Sequence, residues 1–311
     1  MAETLDALLA ELHTATALPA QAALYHLSGL DPETAGRVRQ AWPDYPTELR
    51  RRLVARLVEL AEADFEVDFG AVFRLGLEDE DGAVRTAAIE GLWEDRDVHL
   101  ISSLVSLLLE DQVTAVRAAA ATSLGRFVLL GEVAETRLDP HVAAYQALLT
   151  ACRNLEEDSQ VRRRALESLA YVGNQAVADL IRAAYSDPEE DVRISAVFAM
   201  GRSADDCWAR YVLRELASPS PGLRYEAAIA CGELELDDAV PDLLELADDS
   251  DPQVQWASLW ALGQIGGEAA REALERYCES EDKATRTAAE EALNELLFLH
   301  GDLTDIFTFE I

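Results

Sequence analysis

The sequence predicts an all-α, right-handed solenoid of stacked helical hairpins, and three observations carry that expectation. A Val-Arg type dipeptide recurs at a near-constant interval, each copy sits in an amphipathic helical pattern, and an acidic turn precedes it. One helical pair cannot bury its own apolar face, so a recurring pair implies neighbours that bury it jointly.

The anchors are Val84-Arg85, Val116-Arg117, Val161-Arg162, Val192-Arg193 and Leu223-Arg224, continued by Val254-Gln255 and Thr285-Arg286. From Arg162 onward they stand 31 residues apart; before it the intervals are 32 and 45, so one unit carries an insertion. A degenerate unit around Arg51 to Ala63 precedes them, which makes about seven to eight repeats over residues 46–299.

In chain order, residues 1–45 read as helical but out of register, broken at Asp31-Pro32 and Trp42-Pro43. They are expected to form the N-terminal cap that a solenoid requires. The insertion near 131–140 reads as a longer inter-helix connection without chemical signature. In the cleanest unit, Asp187-Pro188-Glu189-Glu190-Asp191 supplies a turn, a proline suited to a helix start and acids for the positive helix end. Val192 to Met200 follows as the second helix, with Gly201 as its stop, and Cys207 to Ala217 as the next first helix. Asp249-Ser250-Asp251-Pro252 repeats this grammar and closes at Gly263. Three residues after each anchor stands Ala88, Ala120, Ala165, Ala196, Ala227, Ser258 or Ala289, small enough for helices to approach closely. Seven after it stands a packing residue, Leu92 through Leu293.

The pattern Asp-Pro-x-x-x-Val-Arg-x-x-Ala-x-x-x-x-Gly of Asp187 to Gly201 resembles HEAT repeats of the phycobilisome-lyase type, over roughly residues 80–295. The resemblance implies architecture. Function it leaves open, because such repeats serve scaffolds, lyases, hydroxylases and DNA-repair proteins.

Charge narrows the classes. Lys plus Arg is 26 against 59 Asp plus Glu, a net −33, and Lys283 is the single lysine. Such a field repels phosphate backbones and anionic lipid, so neither nucleic acid nor membrane is an expected partner. No export segment or spanning run is read at sequence level. The scattered cysteines, Cys152, Cys207, Cys231 and Cys278, look like small core residues of a reducing cytoplasm. Neither the five histidines nor the cysteines have metal-ligand spacing, and no phosphate loop or nucleophile elbow occurs. The expectation is no cofactor, no metal and no enzyme. The related hydroxylases hold iron with His-Glu pairs, which this sequence lacks.

The recurring arginines, Arg85, Arg117, Arg162, Arg193, Arg224 and Arg286, lie beside the acidic turns and read as a structural ladder between repeats. The positions one and five after each anchor face away from the core at about 100° per residue. They read Thr86 and Glu90, Ala118 and Thr122, Arg163 and Glu167, then Ile194 and Phe198, Tyr225 and Ile229, Trp256 and Trp260, then Thr287 and Glu291. Six large apolar residues on three consecutive units suggest a concave binding groove, with Arg202, Glu233 and Gln264 near its rim. Coverage by neighbouring repeats is the competing account.

Beyond Leu299, residues 300–311 form an apolar tail in which Phe307, Phe309 and Ile311 alternate with polar residues, after Ile306. It is read as a docking tail or a local cap. The sequence thus suggests a cytoplasmic adaptor that grips a basic or apolar protein segment. A bilin-lyase-like enzyme and a self-assembling element joined by its tail are the alternatives.

Overall fold

The structure, a computed structural model, describes residues 2–14, 18–133 and 139–300. The docking-tail residues Ile306, Phe307, Phe309 and Ile311 lie outside these, as does the middle of the insertion, 134–138. The chain divides into two compact units, Met1–Ser168 and Leu169–Ile311. All regular elements among the described residues are helical.

In the first unit, α1 (Ala2–Thr14), α2 (Gln21–Leu24) and α3 (Pro32–Ala41) lead into α4 (Thr47–Ala63). Asp31 caps α3 by accepting from the Thr34 amide, with Pro32 at the first helical position. Two helical pairs follow, α5 (Gly70–Gly76) with α6 (Gly82–Gly91) and α7 (Leu100–Glu110) with α8 (Thr114–Val133). Then come α9 (Asp139–Arg153) and α10 (Ser159–Leu169). The insertion therefore lengthens helices at both its ends, since 131–133 continue α8 and 139–140 begin α9. Beneath the start of α4, Arg50 is buried against Asp79, 2.9 Å away, and the Trp42 indole donates to the same carboxylate at 2.6 Å. A buried charge needs such partners.

The second unit repeats one hairpin. Its first helices are α11 (Gln175–Tyr185), α13 (Ala209–Glu215), α15 (Val240–Leu246) and α17 (Glu268–Tyr277). Its second helices are α12 (Glu190–Arg202), α14 (Pro221–Glu233), α16 (Pro252–Ile265) and α18 (Lys283–His300). Ser220 and Asp251 cap α14 and α16, each ahead of a proline. Consecutive second helices pack directly on one another.

The core columns are filled as the repeat demands. Ala88, Ala120, Ala165, Ala196, Ala227, Ser258 and Ala289 are all fully buried. Leu92, Leu124, Leu169, Met200, Cys231 and Leu262 are buried too, while Leu293 in the last repeat is half-buried. Each buried Leu or Met adds on the order of 1.5–3 kcal/mol.

The glycines correct one expectation. Gly201 and Gly263 lie inside their helices, which run on to Arg202 and Ile265. A Cβ on Gly201 would stand 2.8 Å from Ala230 Cα, one on Gly232 3.0 Å from Ala261 Cα, and one on Gly263 2.6 Å from the Ala292 carbonyl. These glycines are crossing points between successive second helices. The chain leaves the helix three residues later, at Ala204 (φ 49°), Glu235 (φ 49°) and Gly266 (φ 76°).

Candidate functional site

The anchor arginines share one local geometry. A guanidinium Nη1 donates to the carbonyl six residues upstream in Arg85 (2.7 Å), Arg117 (2.8 Å), Arg193 (2.9 Å), Arg224 (2.9 Å) and Arg286 (2.7 Å). Gln255 does the same with its amide at 2.7 Å. The other side of the fork reaches the following repeat: Arg85 onto Asp111 (2.7 and 2.8 Å), Arg117 onto Glu157 (2.7 Å), Arg224 onto Asp249 (2.8 Å twice). The position that Asp249 takes for Arg224 is Ser218 for Arg193. Arg162 occupies the same register, half-buried. Bidentate pairs of this kind fix orientation as well as adding energy.

The arginine beside Asp249 holds its carboxyl below the usual carboxylate range. At Asp111 burial pushes upward, yet hydrogen bonds from Arg85 and the Val113 amide outweigh it, and the net shift is also downward. Asp81, which accepts from Arg51, falls to about 2.

The six apolar residues of the second unit lie on α12, α14 and α16 as spaced in the sequence, but they are not freely exposed. Ile194, Phe198, Tyr225, Ile229 and Trp260 are half-buried; Trp256 is 42% exposed. The helical projection treats a helix as isolated, whereas the glycine crossings bring neighbours close enough for these side chains to lean on. Trp260 lies over α14, its ring 2.7 Å from where a Gly232 Cβ would stand. At the other end of α14, Ile194 of the preceding repeat lies 2.7 Å from where a Gly222 Cβ would stand. Tyr225 and Trp256 stack, with centroids 6.5 Å apart and planes at 20°.

At the near end of the strip, the Arg202 guanidinium sits 5.3 Å from the Phe198 ring centre and 2.6 Å from Glu233. Burial pushes the Glu233 carboxyl upward, and Arg202 works against that shift. At the far end, Trp256 borders an open depression of about 540 Å³ shared with Asp282, Lys283, Thr287 and Glu291 of the α18 side. Sequence reasoning missed this depression, because its walls come from two consecutive repeats. The lone lysine was its one visible signal.

In the first unit the corresponding columns are polar or small. Ala118 is buried rather than solvent-facing, at 4% exposure. Among the described residues no group of three His, Cys, Asp or Glu side chains is placed to hold a metal ion. Burial pushes the Cys152 and Cys231 thiols up to about 12, so both stay protonated at neutral pH. No helix among the described residues is long and apolar enough to cross a membrane.

Comparison with known proteins agrees with this architecture. The family model for HEAT repeats matches residues 71–144, 145–217 and 209–294. No curated protein sequence matches the chain. Among solved structures, the complex of CpcE and CpcF of phycocyanin lyase from Nostoc sp. PCC7120 is similar at TM-score 0.51 and 18% identity, over 86% of this chain and 95% of that one. Yeast importin-β (Kap95p) is similar at TM-score 0.57 and 13% identity, over 95% of this chain and 46% of the importin chain. At such identities the likeness is one of fold.

Proposed function

The chain belongs to the HEAT-repeat family, and from that premise we propose that it is a non-enzymatic protein-interaction scaffold of the cytoplasm. Its second unit grips a partner segment along Ile194, Phe198, Tyr225, Ile229, Trp256 and Trp260, with Arg202 at the edge. One observation carries the reading: three consecutive second helices turn large apolar side chains to a face where the first unit has polar or small ones. Aromatic side chains bury about 150–250 Å² each when covered, which makes Tyr225 and Trp256 the natural anchors. The net charge of −33 would steer a basic partner towards the chain and speed its arrival.

A photo-crosslinking amino acid placed at Trp256, and separately at Thr122 in the first unit, tests this in cells. The reading expects a discrete protein adduct from position 256 and none from 122. Adducts of twice the chain's mass would identify self-association, the role open to the tail at 300–311. Equal labelling from both positions, or none from 256, would sink the scaffold reading. A shift in visible absorbance on adding a free bilin to the purified chain would overturn its non-enzymatic part in favour of chromophore chemistry.

A further inference from the structure

One rung of the strip already holds a guanidinium. Arg202 lies against the Phe198 ring and pairs with the Glu233 carboxylate, so an aromatic face and a desolvated acid secure one cation from two sides. That cation belongs to the chain itself. The residue equivalent to Arg202 is Glu233 one repeat later and Gln264 two repeats later, so the strip changes from supplying a cation to supplying an acid and then a neutral amide.

The aromatic faces continue while the cation does not. Trp256 stacks on Tyr225 of α14 with one face. On the α18 side it borders the depression of about 540 Å³, ample for a side chain. Two carboxylates line that depression with it. Asp282 caps α18 by accepting from the Thr285 amide at 2.8 Å, and this hydrogen bond keeps its carboxyl low and ionised at neutral pH. Glu291 is exposed and stands where Phe198, Ile229 and Trp260 stand in the preceding repeats. Lys283 is the opposing charge, leaving the two acids in excess by one.

An indole face beside carboxylates, in a chain of net charge −33, is complementary to a planar cation. Guanidinium suits it better than ammonium, because it can stack on the ring and still hydrogen-bond a carboxylate in its own plane. We infer that the strip's partner is an extended, arginine-bearing protein segment, one arginine of which lies against Trp256 beside Glu291. This rests on the scaffold reading and names the partner's chemistry. Apolar side chains of the segment cover Tyr225, Ile229 and Trp260, and the arginine fixes its register at the α18 end.

Selection of random octapeptides on the full chain, followed by anisotropy titration of the enriched sequences, tests the inference. The expected sequences place arginine among apolar residues. Replacing that arginine by citrulline, which keeps shape and loses charge, should weaken binding at least tenfold. Glu291→Arg should do the same with a thermal melt that matches the parent, because that side chain is exposed. Trp256→Ala should also weaken binding at least tenfold, with a melt that stays cooperative and falls only by the loss of the Tyr225 stack. Enriched peptides that lack arginine yet depend on Trp256 would overturn the arginine assignment and leave the strip standing. Acidic peptides would overturn it in favour of Lys283. Peptides indifferent to Trp256→Ala, or no enrichment at all, would remove the strip reading and this inference together.

Discussion

The two units use one repeat and tie it differently. In the first, Arg85 and Arg117, on consecutive second helices, fork onto acids of the following repeat. In the second, Arg224 does so, while the residue in register with Asp249 is Ser218 for Arg193, and Gln255 has replaced the arginine. The outward columns differ in the opposite sense. Thr86, Glu90 and Thr122 in the first unit stand where Ile194, Phe198, Tyr225, Ile229, Trp256 and Trp260 stand in the second. The lesson is that the unit in which anchor arginines give up the fork, at Arg193 and Gln255, is the one whose helices lean on each other through large side chains. In the second unit, apolar packing that joins the repeats runs along the same strip that is proposed as the partner surface.

That contrast breaks most readily at the arginines. Arg224→Ala leaves Asp249 with a side chain only 9% exposed and without its counter-ion. It should cost about 2–3 kcal/mol, less than the roughly 3–5 kcal/mol of a fully buried pair because both residues are part-buried. Arg193→Ala removes hydrogen bonds to the Asp187 and Pro188 carbonyls and a loose 3.8 Å pair with Glu190, and should cost about 1 kcal/mol. Urea melts would measure both, and equal costs would mean that the fork onto Asp249 adds nothing beyond the hydrogen bond that every anchor arginine makes. The pH dependence follows from sign. The Asp249 carboxyl is lowered in the fold, so it binds protons less readily there than in the unfolded chain. Its stabilisation is complete above about pH 4 and is lost as pH falls through the lowered value. Arg224→Ala should flatten that part of the acid-unfolding curve.

A middle-sized effect is expected at the crossings, which both units share. Gly125 in the first unit would place a Cβ 2.7 Å from Ser168 Cβ; Gly263 in the second would place one 2.6 Å from a backbone carbonyl. Alanine gains about 1 kcal/mol of helix propensity over glycine. Overpacking against atoms that cannot turn aside costs about 1–3 kcal/mol or more. Gly263→Ala should therefore lose about 1–2 kcal/mol in a chemical melt, with Gly125→Ala close to it. If only Gly263→Ala loses stability, the tight crossing is a property of the second unit alone.

The same glycines show where sequence reading stopped. Spacing and small residues were enough to place the core columns, because Ala196, Ala227 and Met200 answer to a period that any helix imposes. In sequence Gly201 and Gly263 look like stops, since a residue without Cβ suits a helix end and a close crossing equally well. Only the position of Ala230 or Ala292 decides between them. The half-burial of Trp260 was hidden for the same reason, as its cover is Gly232 of the preceding repeat. The depression beside Trp256 depends on where α18 lies, which a one-helix projection does not contain.

The smallest effect is expected where the second unit's helices truly end. Ala204, Glu235 and Gly266 recur at the repeat interval with positive φ, and only the third is a glycine. An L-residue in the left-handed region costs roughly 1–2 kcal/mol. Glycine removes that strain but loses more backbone entropy on folding, about 0.5–1 kcal/mol. Glu235→Gly should then stabilise by about 0.5 kcal/mol, and Ala204→Gly by a similar amount, measured as a small rise in the thermal midpoint. Among the described residues of the first unit, the positive φ belongs to Gly29, before the repeats begin. The gain should therefore be confined to the second unit. A loss at Glu235→Gly would mean that the side chain holds the turn after α14, and that this helix end, unlike the one at Gly266, depends on more than backbone geometry.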